Sequence, residues 1–366
     1  MTLNRAKTVI QHEPQDGLPT IIQPVAVVIA VCFVVIYVAP FYLSKALRIS
    51  ESVSRNSPES IQARCQAVFL TCCLCTIITI NVQSVVGVAT PAEMLHRAGI
   101  YPVILTDVVR TMTLVAILFA GPLYEAGIVE GGWRHWFRWS VIREEMYDDW
   151  IGWRNLVVGP ASEELIFRSL TVSLLLCAWT PPGKIVWEAP LLFGIAHLHH
   201  LNEFVITHKR PGQSYFSAMK TPAIIVPGIL RAVFQLAFTS VFGMFVTFVY
   251  LRTGNLYSCI LAHTFCNWMG FPRLWGRLGG SAEEVYMHPS HDERLKSQEL
   301  DELDASGSKA NVARRSETAQ GAAVPRGGGL GVQWTVVYYL LLGAGIVGFA
   351  KLLYPLTESD NQLVWL

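Results

Sequence analysis

Long apolar runs separated by short polar stretches dominate the chain. They lie at about 21–44, 65–88, 101–126, 154–180, 187–201, 224–251, 255–272 and 333–354. A helix crossing a bilayer needs about 20 apolar residues. The pattern therefore predicts an all-α polytopic membrane protein of about eight transmembrane helices. The first run is too long for a signal-peptide core and lacks a clear cleavage site, so it is expected to stay as a span. Between the third and fourth runs, "EGGWRHWFRWSVIREEMYDDW" mixes Trp with charge, which suits an amphipathic segment at the membrane interface. Residues 281–331 are polar and rich in Ser, Gly and Ala. They cannot bury enough apolar surface to order themselves, so they read as a disordered insertion. The remainder, 1–280 and 332–366, reads as one membrane domain. Lys and Arg flank both sides of the early runs, so charge alone does not orient the chain. No internal repeat is visible.

Composition sharpens this picture. Of 366 residues, 52% are hydrophobic and 15% charged, against about 25% charged in an ordinary soluble domain. The formal net charge of +1 gives no field to attract nucleic acid. Most of the eight cysteines fall inside apolar runs, where Cys behaves as a small hydrophobe. "TCCLC" at 71–75 has no second Cys/His cluster to complete a zinc site, so no metal is expected there.

Against this background some charges stand out. "GPASEELIFR" places Glu163, Glu164 and Arg168 at the head of an apolar run, although a charge at the bilayer centre costs about 2.5–3.5 kcal/mol. Gly159-Pro160 suits a helix start. Glu164 and Arg168 are four apart, with Glu on the favoured N-terminal side, so they can pair on one helix face. Glu163 lies about 100° around the helix and is left for chemistry. "FGIAH" sets His197 four residues after Phe193, with His199 and His200 just beyond. "LAHTFCN" sets His263 and Asn267 four apart. Polar groups in lipid must find partners, and the economical solution is one intramembrane polar cavity shared by the three segments. A carboxylate with an imidazole suits general-base activation of water. A second imidazole with an amide suits oxyanion stabilisation. Together they could hydrolyse an amide without a covalent intermediate. Three other readings stay open: a metal-dependent hydrolase, a transporter with a buried charged site, and a non-catalytic scaffold. Against the metal, no HExxH is present, and "HEPQD" at 12–16 lacks the second His.

"EELIFR", "FGIAH" and "LAHTFCN" resemble, in order, the three signature motifs of the type II CaaX prenyl endoproteases, the Ras-converting enzyme family. Bacteriocin-processing and abortive-infection membrane proteins form its wider group. The likeness is strong over about 150–275 and elsewhere rests on hydrophobic layout. It implies a multi-pass protein of the endoplasmic reticulum that removes the last three residues of prenylated CaaX proteins, such as small GTPases, without a cofactor. It also implies roles. Glu163 would activate water and His197 would orient or share that proton. His263 and Asn267 would hold the oxyanion, with Glu164, Arg168 and Phe193 in support. His199 and His200 match no invariant role and read as loop residues. Membrane lipids are implied as partners, and nucleic acid is not. The tail "LVWL" has no Cys four from its end, so the chain does not read as a CaaX substrate itself.

Overall fold

A computed structural model describes residues 21–44, 47–48, 55–86, 90–210, 212–279 and 330–366. The insertion expected at 281–331 falls almost wholly outside them. Among the described residues every regular element is helical. Each apolar run forms helix, but not every helix is of spanning length. Pro58–Val85, Pro222–Thr253 and Val332–Leu356 are long and apolar enough to cross a membrane; the pair Leu105–Leu118 and Ala120–Val129, bent by 81°, would make a fourth. The helices Gln23–Val38, Pro182–Ala196 and Leu256–Met269 have 16, 15 and 14 residues. At 1.5 Å per residue they run about 21–24 Å, short of the roughly 30 Å hydrocarbon core.

Local sequence explains where these helices begin. Pro occupies the first turn of Gln23–Val38, Pro58–Val85, Pro91–Arg97, Pro182–Ala196 and Pro222–Thr253, where its missing N–H has no intrahelical partner to lose. The Ser57 and Thr90 hydroxyls accept from the N–H groups of Ser60 and Glu93, capping two of these ends. Asp149 accepts from Ile151 and Gly152 and opens the helical run 150–177.

The chain divides into two compact units. The first comprises Met1–Thr113, Met146–Thr264 and Leu353–Leu366. Its core joins Phe33 and Tyr37 to Cys72, Cys75, Ile166, Phe167, Leu170 and Phe193, so two cysteines of the "TCCLC" stretch pack as small hydrophobes. Among the described residues no cysteine is in a disulfide. The helix Pro182–Ala196 lies tightly against Pro222–Thr253. A Cβ on Gly243 would come within 2.8 Å of the Pro190 side chain and 3.2 Å of Arg168 Nη2, so only Gly allows this approach beside a guanidinium. Pro222–Thr253 ends at Gly254, whose φ of 55° is left-handed, a conformation Gly adopts freely. Asn361 Nδ2 donates to the carbonyls of Thr253 and Gly254, and Asn255 Oδ1 accepts from Ser258 to launch Leu256–Met269. Phe69, Leu70, Leu74 and Ile77 are exposed along Pro58–Val85, an apolar face suited to lipid.

The second unit comprises Leu114–Glu145 and Phe265–Leu352. Arg273 bonds the Glu125 carboxylate through Nε at 3.0 Å and Nη2 at 2.8 Å, and Tyr338 Oη accepts from the Arg273 N–H. Edge-to-face contacts join Phe119 to Phe265 and Trp136 to Trp268.

Candidate active site

The run 150–177 is not one regular α-helix. Wider π-turns at Trp153–Val158 and Leu165–Leu170 flank Gly159–Glu164, an irregularity common where side chains must be re-aimed. Pro160 contributes here, because it has no N–H for the carbonyl of Leu156, four residues back. The Thr264 hydroxyl donates to that carbonyl at 2.9 Å. This bond ties the Leu256–Met269 helix to the carboxylate segment one residue past His263.

Glu164 is 0% exposed and Arg168 1%. Arg168 Nε lies 3.1 Å from Glu164 Oε2. This is an ion pair by distance without hydrogen-bond alignment, because Oε2 and both Arg168 Nη atoms are buried with no hydrogen bond. The guanidinium instead lies over the Phe193 ring at 4.4 Å and the Phe242 ring at 5.9 Å, so aromatic faces supply part of its stabilisation.

His263 sits between the two glutamates. Its Nδ1 is 2.7 Å from Glu164 Oε1, and its Nε2 faces Glu163 Oε2 at 3.8 Å. An ionised Glu164 only accepts, so Nδ1–H is the donor, and the carboxylate thereby sets the tautomer and tilt of the ring. Glu163 keeps a side-chain exposure of 19%. His197 Nδ1 donates to the Phe193 carbonyl at 2.8 Å, which leaves Nε2 with its lone pair; Glu163 and His263 both lie within its electrostatic reach. Phe193 packs its ring on His197 at 4.6 Å and on His263 at 6.2 Å.

Glu163, Glu164, Arg168, Phe193, His197 and His263 therefore converge within the first unit. Asn267 follows His263 by one turn on the same helix and is exposed. Spacing in the sequence assigns no particular histidine to Glu163; in the structure His263 adjoins it. Tyr37 was not anticipated. Its hydroxyl is 3.1 Å from Ser162 Oγ, the Glu163 carboxylate lies within its electrostatic reach, and its ring meets Phe167 at 5.9 Å. The one hint in sequence is a hydroxyl inside the apolar "VVIYVA", since such a group must find a partner in lipid.

His199 and His200, expected in a loop, open the helix His199–His208, the His200 ring 5.9 Å from that of His197, and group with Glu203. The ligating atoms of these three come within 4.8 Å of one another, a spacing a metal ion could use. His200 Nδ1 is 2.9 Å from Glu203 Oε2. However, Arg55 and Arg64 also reach Glu203, at 3.2 and 3.3 Å, and two guanidiniums on the same carboxylate repel a divalent cation. Burial pushes the Glu203 carboxyl up, yet the His200 hydrogen bond and the neighbouring charge of Arg55 outweigh it and hold the group down at about 2.

A family model described as type II CAAX prenyl endopeptidase Rce1-like matches residues 148–269, the stretch that contains every residue of the cluster. Over 247 residues the chain is 34% identical to the probable CAAX prenyl protease 2 of Schizosaccharomyces pombe, covering 68% of this chain and 81% of that protein. It is 30% identical over 258 residues to the CAAX prenyl protease 2 of Homo sapiens, covering 66% and 69% respectively. With the Arabidopsis thaliana protein of the same name it shares 33% identity over 205 residues, covering 53% and 60%. No solved structure gives a significant match.

Proposed function

The chain belongs to the Rce1-like type II CAAX prenyl endopeptidases, membrane peptidases of CaaX processing, and on that premise we propose that it removes the C-terminal three residues of prenylated CaaX proteins with a water activated by Glu163. The observation that carries this reading is the 3.8 Å separation of Glu163 Oε2 from His263 Nε2. That gap is too long for a direct hydrogen bond, but one oxygen atom bonded to both at about 2.8 Å would span it. The partly exposed Glu163 is reachable by water, whereas Glu164 is enclosed and committed to His263 and Arg168.

In this mechanism Glu163 takes a proton from water as the oxygen attacks the carbonyl carbon after the prenylated cysteine. His197, with Nε2 unprotonated, shares or relays that proton. His263 and Asn267 receive the tetrahedral oxyanion. For His263 this role requires both ring nitrogens to be protonated in the complex, because Glu164 already holds Nδ1–H, and requires the Nε2–H hydrogen bond to pass from the attacking water to the carbonyl oxygen as the tetrahedral intermediate forms. The proton then passes to the departing amine, the C–N bond breaks, and the tripeptide leaves. Glu164 and Arg168 orient His263, and the Phe193 ring packs on Arg168, His197 and His263.

The prenyl chain gains about 0.8 kcal/mol per buried CH₂ in lipid, so the substrate reaches the enzyme already anchored. A set of eight membrane helices around a polar cavity, with 1–280 and 332–366 acting as one protease domain in the endoplasmic reticulum membrane, completes the proposal. Small GTPases with prenylated tails are its expected substrates. The test is cleavage of a farnesylated CaaX peptide by purified protein, with and without a strong chelator, beside Glu163→Gln. Cleavage that survives chelator and vanishes in the variant supports the mechanism. Loss of activity in chelator would move the reaction to a metal, and full turnover by a folded Glu163→Gln protein would remove Glu163 from it.

A further inference from the structure

The second polar cluster carries more positive charge than its own acid can answer. Glu203 is contacted by Arg55 and Arg64, and Arg154 stands within electrostatic reach of Arg55, Arg64 and Glu203. Two guanidiniums thus contact one carboxylate and a third stands near them. Their hydrogen bonds are unevenly spent. Arg64 gives Nε and Nη2 to the Leu47 carbonyl and Nη1 to Glu203, so each of its three nitrogens donates. Arg154 uses Nε on Asn155 and Nη1 on the Arg55 carbonyl and Asn56, and Arg55 uses only Nη1, on Glu203. Among the described residues nothing accepts from Arg154 Nη2 or from Arg55 Nε and Nη2. A planar guanidinium with adjacent unused N–H groups is the usual bidentate receptor for a carboxylate. A hollow lined by Tyr42, Arg48, Arg64, Asn202 and Glu203 adjoins the shared carboxylate.

The position of this cluster suggests what the anion is. His197 of the catalytic group meets the His200 ring at a centroid distance of 5.9 Å, and His200 bonds Glu203, which bonds Arg55. On the other side, Arg154 and Glu163 lie nine positions apart on one helical run, a rise of at most about 13 Å because part of the run is π-turn. Three extended residues span about 10 Å, and an arginine side chain makes up the difference. We propose that Arg154 and Arg55 hold the free C-terminal α-carboxylate of the substrate tail, and so measure three residues from the scissile bond. The inference rests on the peptidase reading above and names the part of the substrate that this second cluster reads. A lipid phosphate could satisfy the same donors, but it would not account for a site lying one tripeptide from Glu163.

The test compares two farnesylated CaaX peptides that differ only in their C-terminus, free acid or amide, with enzyme in phosphatidylcholine vesicles. The wild type is expected to cut the acid at least about tenfold better in kcat/KM, since one charge-assisted pair is at stake. In Arg154→Gln and Arg55→Gln that ratio should fall towards one. A merely structural defect lowers both peptides alike and leaves the ratio untouched, so the ratio isolates the charge. Arg55, with a side-chain exposure of 41%, carries the test if Arg154→Gln does not fold. Equal cleavage of acid and amide by the wild type overturns the assignment while leaving the protease reading intact, and so does a ratio that persists in both variants. Equal cleavage together with a dependence on added anionic phospholipid would assign the donors to a lipid phosphate instead. Failure of the wild type to cut either peptide would sink the protease reading and this inference with it.

Discussion

The same three kinds of side chain build two clusters in one unit of this protein, and they are assembled in opposite ways. Around His263, two carboxylates flank the imidazole and only one of them, Glu164, meets a guanidinium, that of Arg168. Around Glu203, one carboxylate is held between Arg55 and Arg64, with His200 at its edge and Arg154 beyond. Arg168 is 1% exposed and leans on aromatic rings, whereas the Arg55 side chain is 41% exposed. An excess of acid around an imidazole favours holding and moving protons. An excess of guanidinium around an acid favours holding an anion. Charge ratio and enclosure, not residue type, separate the two.

The sharpest way to break this contrast is at the acids. Glu163→Gln should lower kcat by about 10²–10⁴, the usual contribution of a general base, with unfolding in detergent unchanged. A loss shared equally by unfolding and turnover would make Glu163 structural. Glu164→Gln should act differently, because it strands a buried guanidinium, at a cost of about 3–5 kcal/mol. Adding Arg168→Met to it should recover part of that stability. A double variant no firmer than the single one, by chemical unfolding in micelles, would show that the ion pair is not what the site depends on.

The second cluster should respond to pH. The Glu203 carboxyl is held at about 2, below its ordinary 4.5, which corresponds to on the order of 3 kcal/mol. Because the folded value lies below the unfolded one, that stabilisation is complete above about pH 4.5. It is lost as pH falls towards 2. Melting temperature followed over this window should drop in the wild type, and the slope should be shallower in Glu203→Gln. Identical slopes would remove Glu203 from the balance. The smallest expected effect is that of Tyr37→Phe. Deleting one neutral buried hydrogen bond, to Ser162, should cost about 1 kcal/mol and reduce kcat a few-fold through Glu163. No change in either quantity would make the contact incidental.

Much of the first cluster was legible because helical spacing makes local pairs visible. Glu164 and Arg168 are four apart, and the sequence offers no other use for both in an apolar run. Phe193 and His197 are likewise one turn apart, and their contact through the Phe193 carbonyl and ring follows from that. What spacing cannot show is which histidine faces which acid. The placement of His263 against both glutamates depends on helices 99 residues apart in the chain, and on the Thr264 bond to a carbonyl freed by Pro160. The anion cluster was harder still, since Arg55, Arg64, Arg154 and Glu203 come from separate segments with no common motif.

From sequence alone come the helical class, the apolar runs and their proline starts, the four-residue pairs and the ordered motifs that mark the family, because each depends on neighbours within about a turn or on composition. The tertiary structure decided the rest: the π-turns that re-aim the acids, the ring of His263 between them, the entry of Tyr37, and a second cluster of opposite charge balance. Those features are contacts between distant segments, and only packing sets how close such segments come and which donors remain unused.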